Sequence, residues 1–285
     1  MTFVQALAAG LKQGKHLCVG IDPHRFLLQE WGLNDTAQGA CDFGLRVVEA
    51  AAGAAVAVKP QIAFFERFGS AGYRALEQVF AAAREAGLPI IADVKRGDIG
   101  STFAAYAEAW LLPGSPLEAD AMTAVAYQGF GSLNGGLELV REHGKGLFVL
   151  AATSNPEART LQQARRADNL TVASSIVREA QQFNAADELA LTAGVGAVGV
   201  VLGATLQLAD FEIDTALSRG EHPILPILAP GFGAQGAKLE RAKDIFGSLA
   251  EGLISNESRG VLAGDPDRLA ERVRVRAAEV GEALS

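Results

Sequence analysis

The chain has 285 residues, 49% of them apolar and 20% charged, which is the composition of a soluble globular protein with one large domain or two smaller ones. Its formal net charge of -8 at pH 7 argues against nucleic acid and against an anionic membrane surface as partners, because both are bound through clustered Lys and Arg. The cysteines, Cys18 and Cys41, are too few for a disulfide framework, so we expect a protein of the reducing cytoplasm.

The chain begins with a segment that predicts a short amphipathic helix. Residues 1–16 carry their lysines after the apolar positions and contain no long apolar run, unlike a signal peptide. A second stretch, 189–209, has no charged residue and is long enough to span a bilayer. Glycines interrupt it, however, and its Val-rich second half is typical of a buried strand that follows a helix. We therefore expect no membrane partner.

Short apolar runs alternate along the chain with Ala-rich amphipathic segments. The runs consist mostly of Val, Ile, Leu and Ala without strict alternation, which is typical of strands covered on both faces of a parallel sheet. They lie at residues 16–22, 54–61, 88–95, 119–126, 145–154, 197–205, 222–233 and 251–258. The segments between them, such as 70–87 with Gly87 at its end, have the spacing and the end signals of helices.

This succession of strand-then-helix units predicts the fold class α/β and, within it, a (β/α)8 TIM barrel. We expect a single domain over residues 1–285 with the short N-terminal helix in front. The alternative is an open doubly wound sheet, but about six strands usually suffice for that fold, and no GxGxxG motif follows the first strand. Residues 155–169 are polar and poorly periodic, which predicts a long surface loop after the fifth strand.

Charged side chains collect at the carboxyl ends of the predicted strands, where a TIM barrel builds its active site. Asp22 ends the first strand, Lys59 the second, and Asp93 and Lys95 the third, while Asp98 follows in the turn before the next helix. Asp93 and Lys95 are two residues apart, so on a strand their side chains share one face, here the inside of the barrel mouth. One such pair could be an ordinary surface ion pair. The same charges on neighbouring strands favour a site.

The later strands end in a pattern that is typical of phosphate binding. The loop at residues 229–237, APGFGAQGA, combines Gly231 and Gly233 with backbone N–H groups at a predicted helix start. Arg259 follows the eighth strand and can add a forked, charge-assisted hydrogen bond. Loops after strands seven and eight are the usual phosphate site of this barrel, although glycines alone also make tight turns. The histidines are scattered through the chain, so no metal site is expected.

The motif Asp-x-Lys-x-x-Asp-Ile at residues 93–99, followed by Thr102, resembles the signature of the orotidine 5'-phosphate decarboxylase family. Lys59 within VKPQIAFFE, the SNP turn that begins at Ser154, the GFGAQGA loop and the NESRG segment extend the resemblance over nearly the whole chain. The KPQ form and the length resemble the longer, mostly bacterial branch of that family. The Asp-x-Lys-x-x-Asp core is less specific, because related barrel enzymes that act on sugar phosphates share it.

The resemblance implies a reaction and a role for each matching residue. The reaction is the conversion of orotidine 5'-monophosphate (OMP) to uridine 5'-monophosphate (UMP) and CO2 in pyrimidine biosynthesis, by a homodimeric lyase without a cofactor. Lys59 and Asp93 would belong to an array of alternating charges about the pyrimidine, and Lys95 would be the proton donor. Asp98 and Thr102 would reach into the partner subunit's site. Implied substrate contacts are Asp22 and Lys59 to the ribose hydroxyls, Ser154 to the pyrimidine, and Gln235, Arg259 and backbone N–H groups to the phosphate.

Two other functions fit part of this pattern. A sugar-phosphate decarboxylase or an aldolase-type synthase could use the same scaffold. Related enzymes of that kind would typically recruit a metal ion, and this sequence has no obvious extra acidic residue to bind one. A catalytically silent barrel could bind nucleotides as a sensor. A binding protein, however, has little need for an internal array of Lys59, Asp93, Lys95 and Asp98.

Overall fold

The computed structural model describes residues 1–216, 222–233 and 236–284. Its parallel strands form one sheet in the order β2-β1-β8-β7-β6-β5-β4-β3. The strands are β1 Leu17–Ile21, β2 Ala57–Pro60, β3 Ile91–Arg96, β4 Ala121–Ala124, β5 Gly146–Ala152, β6 Val198–Leu202, β7 Ile227–Pro230 and β8 Leu253–Glu257. Isolated parallel bridges, Val58 with Ile90 and Gln61 with Asp93, join β2 to β3 and nearly close the sheet. The predicted (β/α)8 barrel is confirmed, and every strand lies within its predicted run or one residue beyond it.

Helices separate successive strands and cover the outside of the barrel. Within the described residues they are α1 Phe3–Lys12, α2 Arg25–Glu30, α3 Ala37–Ala51, α4 Ala63–Glu66, α5 Ser70–Glu85, α6 Gly100–Leu111, α7 Asn134–His143, α8 Ala158–Gln162, α9 Val172–Ala185, α10 Glu188–Ala193, α11 Ala242–Phe246, α12 Arg259–Leu262 and α13 Leu269–Leu284. Just after α5, Gly87 has a φ of 64°, so it ends that helix in the left-handed conformation as predicted.

The prediction of a long loop at 155–169 was wrong in part, because this stretch contains helix α8. The side chain of Gln162 at the end of α8 reaches back to Thr153 after β5. Its amide oxygen accepts from the Thr153 backbone N–H, and its amide nitrogen donates to the Thr153 hydroxyl, both at 2.9 Å. The segment is therefore fixed by side-chain hydrogen bonds, which leave no apolar periodicity in the sequence.

Helix α1 covers the amino end of the barrel. The Thr2 and Gln5 side chains form a capping box at its start, and Phe3 packs edge-on against Phe148 of β5 with ring centroids 6.0 Å apart. A buried cluster inside the barrel receives one side chain from each strand: Cys18, Ala57, Ile91, Ala121, Phe148, Val201, Leu228 and Ile254. Phe3 and Leu7 of α1 belong to the same cluster. The barrel interior at its amino end is thus filled with apolar groups.

Both cysteines are free thiols and are buried. Cys18 lies within the barrel interior, where burial raises the pKa of its thiol to about 12. It therefore stays protonated at neutral pH and serves as apolar filling. The uncharged stretch 189–209 contains most of α10 and all of β6, a helix followed by a buried strand as predicted. Among the described residues, no helix has both the length and the apolar character needed to cross a membrane.

His16 links the start of β1 to β8 and makes stability depend on pH. Its Nδ1 lies 2.7 Å from the Leu253 carbonyl oxygen, and burial lowers its pKa although this hydrogen bond opposes the effect. As pH falls below about 6.5, the unfolded chain therefore takes up this proton before the folded chain does, and stability falls. We expect the free energy of unfolding, measured by urea denaturation between about pH 7.5 and 5.5, to fall less steeply in His16→Gln than in wild type. Equal slopes would contradict this assignment.

Candidate active site

The carboxylate of Asp93 lies at the centre of the polar groups in the barrel mouth. Its Oδ2 accepts hydrogen bonds from the Lys59 ammonium at 2.5 Å and from the Gln61 amide at 2.9 Å. Its Oδ1 accepts from the Lys95 ammonium at 2.5 Å and from the Thr123 hydroxyl at 3.0 Å. One carboxylate thus joins groups from β2, β3 and β4 in a single network, which brings together Lys59, Asp93 and Lys95 from the predicted site.

The end of β3 is irregular where this network forms. The register between β3 and β4 shifts between Ala92 and Arg96, and Lys95 has a φ of 47°, in the left-handed region that costs a non-glycine residue about 1–2 kcal/mol. The Lys95 backbone N–H donates to the Thr123 hydroxyl at 2.9 Å, and that hydroxyl in turn donates to Asp93. Thr123 therefore fixes both the bent backbone at Lys95 and the carboxylate that receives its ammonium.

The two lysines of the network differ in how far they are buried. The side chains of Lys59 and Asp93 are 4% and 6% exposed, whereas that of Lys95 is 43% exposed. Burial alone would raise the pKa of Asp93, but the ammonium groups of Lys59 and Lys95 hold it well below its usual range. Burial alone would lower the pKa of Lys59, but Asp93 and Asp22 raise it. Lys59 and Asp93 are therefore held in their charged forms, and Lys95 is the ammonium that a bound molecule could reach.

A second polar corner lies where β1 and β8 end. Asp22 follows β1 and raises the pKa of Lys59, so its charge acts on the Asp93 network. Its Oδ1 is buried and has no hydrogen-bond partner among the described residues. Burial lowers the pKa of the neighbouring His24. The charge of Asp22 raises this pKa and the charge of Arg259 lowers it, so both residues lie close to His24 at the same corner. Arg259 is exposed and is the first residue of α12.

The loop after β7 is held partly by its own backbone. Gly231 and Gly233 have φ values of 122° and 70°, which favour glycine. The Gly233 N–H donates to the Ala237 carbonyl at 3.3 Å, and the Ala237 N–H donates to the Gly231 carbonyl at 3.1 Å. Gln235 lies outside the described residues. The next helical segment is a 3-10 helix at Leu239–Arg241, so the glycines precede a helix start by several residues.

Three of the predicted site residues stand apart from the Asp93 network in this chain. Asp98 accepts a hydrogen bond from the Ile99 N–H at 2.8 Å and, among the described residues, makes none to Lys59, Asp93 or Lys95. Thr102 is exposed in the first turn of α6, and Ser154 is exposed after β5. The structure therefore does not bring these three residues into the network within one chain.

Arg96, which had no predicted role beyond an ordinary ion pair, binds Glu66 of α4. The Tyr73 hydroxyl donates to the same carboxylate at 2.7 Å. The fourth charge of the motif therefore has structural contacts, which link the end of β3 to α4.

The sequence reasoning did not assign Gln61 or Thr123. Gln61 follows Lys59 by two residues, so its side chain was to be expected on the same face. Thr123 places a hydroxyl within the buried, otherwise apolar strand β4, and the residue is 1% exposed. A lone polar residue in such a strand needs a buried partner, and that requirement was the available signal.

Comparison with known proteins gives the family of this barrel. A sequence profile described as "Orotidine 5'-phosphate decarboxylase / HUMPS family" matches residues 15–271. A protein of Corynebacterium glutamicum is 45% identical over 267 residues, which cover 94% of this chain and 92% of the relative. One of Salinispora tropica is 48% identical over 256 residues, covering 90% and 88%. Both relatives are named orotidine 5'-phosphate decarboxylase. The chain belongs to this family.

Solved structures agree with that assignment. The crystal structure of a Streptomyces avermitilis protein superimposes with a TM-score of 0.89 at 44% identity and covers 99% of this chain and 96% of its own. The Leishmania donovani OMP decarboxylase gives a TM-score of 0.75 at 32% identity and covers 99% of both chains. The resemblance that the motifs indicated is confirmed, and with it the membership of the orotidine 5'-phosphate decarboxylase family, whose curated members are decarboxylases of the lyase class.

Proposed function

We propose that this protein decarboxylates OMP to UMP and CO2, the reaction of pyrimidine synthesis, without a cofactor. The observation that carries the proposal is the buried Asp93 carboxylate held between the Lys59 and Lys95 ammonium groups at the barrel mouth. Its support from the comparisons is that relatives 45% to 48% identical over most of the chain bear the name of this activity.

Electrostatics gives this arrangement a chemical purpose. Loss of CO2 from C6 of the pyrimidine leaves a carbanion with no adjacent carbonyl to take up its charge, so the barrier must be lowered by a preorganised field. An ammonium about 4 Å from that carbon contributes on the order of 4 kcal/mol at an effective dielectric of about 20. Lys95 is partly exposed and is oriented by Asp93, so it can supply this field and then transfer a proton to C6. Lys59 is buried and keeps Asp93 ionised.

The substrate would extend from the Asp93 network toward the ends of β7 and β8. In this proposal Asp22 and Lys59 bind ribose hydroxyls, and Ser154 binds the pyrimidine. The phosphate is bound by Arg259 and by backbone N–H groups near Gly231, with Gln235 as a further donor. Gly233 is a weaker candidate than the sequence suggested, because its N–H already donates to Ala237. Phosphate binding far from C6 would contribute to orientation at the reacting carbon.

A homodimer with shared sites is part of the proposal. Asp98 and Thr102 would enter the partner subunit's site, which is consistent with their lack of hydrogen bonds to the Asp93 network of their own chain among the described residues. The adjoining Ile99 is 61% exposed.

The activity is tested by following the loss of OMP absorbance with a metal chelator present. Turnover that chelator leaves unchanged is the expected result. A well-folded protein without turnover would refute the proposal, and turnover abolished by chelator would favour a metal-using enzyme on the same scaffold.

Shared sites predict complementation between two inactive variants. Lys95→Ala and Asp98→Ala homodimers should each be strongly impaired, because every site lacks one group. A mixed dimer contains one site with both groups intact, so it should regain about half of the wild-type activity. Activity of tagged and purified heterodimers is the measurement, with the Lys95→Ala/Asp98→Ala double variant mixed with Lys95→Ala as the control. No activity in verified heterodimers would count against a shared site.

A further inference from the structure

Two buried polar atoms without hydrogen-bond partners lie in one corner of the barrel mouth. Asp22 Oδ1 at the end of β1 and Ser258 Oγ at the end of β8 make no hydrogen bond within the described residues. Asn256 Oδ1, two residues before Ser258, shares this property. Leaving a buried polar group unpaired is costly, and native structures rarely keep several such groups together without a reason.

The paired strands β1 and β8 bring the two atoms side by side. Val19 is aligned with Glu257, so Gly20 lies beside Ser258. A Cβ on Gly20 would come within 2.9 Å of the Ser258 Cβ and 3.4 Å of both carboxylate oxygens of Asp22. Gly20 therefore keeps the space next to both side chains free of protein atoms. The two groups nevertheless do not bond each other, although one can donate and the other can accept.

The chemistry of the pair selects the group that would bind between them. An ionised carboxylate only accepts hydrogen bonds, whereas the serine hydroxyl can donate one. A phosphate oxygen would satisfy Ser258 but would be repelled by Asp22, and an N–H donor would satisfy Asp22 alone. A neutral hydroxyl does both, because it donates to the carboxylate and accepts from the serine.

We propose that Ser258 is a specificity-determining residue that donates a hydrogen bond to the same ribose hydroxyl from which Asp22 accepts one. This inference rests on the proposed function, which supplies a ribose next to a phosphate. Ser258 directly precedes Arg259, the proposed phosphate ligand, and Asp22 acts on Lys59 of the Asp93 network. A hydroxyl at this corner lies between the phosphate end and the base end, as a ribose hydroxyl does.

The test compares three nucleotides by titration calorimetry: UMP, 2'-deoxy-UMP and 3'-deoxy-UMP. Ser258→Ala should raise the Kd of UMP about 5-fold, which corresponds to the loss of one neutral hydrogen bond. With the deoxynucleotide that lacks the bound hydroxyl, wild type and Ser258→Ala should have the same Kd, and this identifies the hydroxyl. Ser258→Gly serves as a second variant with the same expectation. Ser115→Ala is the matched control, because the Ser115 hydroxyl donates to the Ala109 carbonyl at 2.6 Å in the connection from α6 to β4, at the amino end of the barrel.

If Ser258→Ala raised the Kd of all three nucleotides by the same factor, the inference would be overturned, since Ser258 would then act on the phosphate or on the fold. Unchanged affinity for UMP, or no binding of UMP by folded wild type, would overturn it as well. The OMP assay separates this result from the proposed function. Wild type that turns over OMP without the nucleotide pattern refutes only the role of Ser258, whereas wild type that shows the pattern without turnover refutes only the decarboxylation.

Discussion

Replacing Lys95 with alanine is expected to lower kcat for OMP by about 10³-fold or more. The Lys95 ammonium is the partly exposed member of the Asp93 network, and about 4 kcal/mol of transition-state stabilisation corresponds to roughly this factor. The proton donor is removed at the same time, which adds to the loss. Affinity for UMP should change only a few-fold, because the proposed phosphate ligands lie at the ends of β7 and β8. The measurements are kcat and, separately, the Kd of UMP.

An exposed lysine at the other end of the barrel provides the control. Lys12 ends helix α1, which covers the amino end, so Lys12→Ala should retain the wild-type kcat. If Lys95→Ala kept a near-normal kcat, its assignment as proton donor would be wrong. If UMP affinity fell while kcat stayed unchanged, Lys95 would contribute to ground-state binding and not to the transition state.

The strands and the charged face of β3 could be predicted because both depend on local patterns. Uninterrupted apolar runs are typical of strands buried on both faces, and a spacing of two residues puts Asp93 and Lys95 on one side. The prediction held even though β3 is bent at Lys95. The bend itself could not be predicted, because it is held by the Thr123 hydroxyl on the neighbouring strand.

What the sequence did not reveal are partners across strands and loops. Gln61 and Thr123 acquire their roles from Asp93, about 30 residues away along the chain. Likewise α8 is ordered through the contact of Gln162 with Thr153, which gives no periodic signal. The unpaired Ser258 could be recognised only once β8 lay beside β1, since burial without a hydrogen bond is a property of the folded chain.

Asp93→Asn should destabilise the fold as well as impair catalysis. The substitution keeps the shape of the side chain but leaves the Lys59 ammonium, 4% exposed, without its nearest counter-charge. Removing one partner of a buried ion pair costs about 3–5 kcal/mol, so the free energy of unfolding measured with urea at pH 7 should fall by this amount. Adding Lys59→Met should restore part of the loss, because it removes the stranded charge.

The pH dependence separates this electrostatic cause from a packing defect. The pKa of Asp93 is held low by Lys59 and Lys95 against the effect of burial, so its contribution is present above about pH 4 and is lost as pH falls further. The stability difference between wild type and Asp93→Asn should therefore shrink as the solution is acidified below about pH 4. Glu66→Gln, which breaks the partly exposed pair with Arg96, should cost only about 1 kcal/mol or less. Equal losses in the two variants would mean that the Asp93 network contributes no more to stability than a surface pair does.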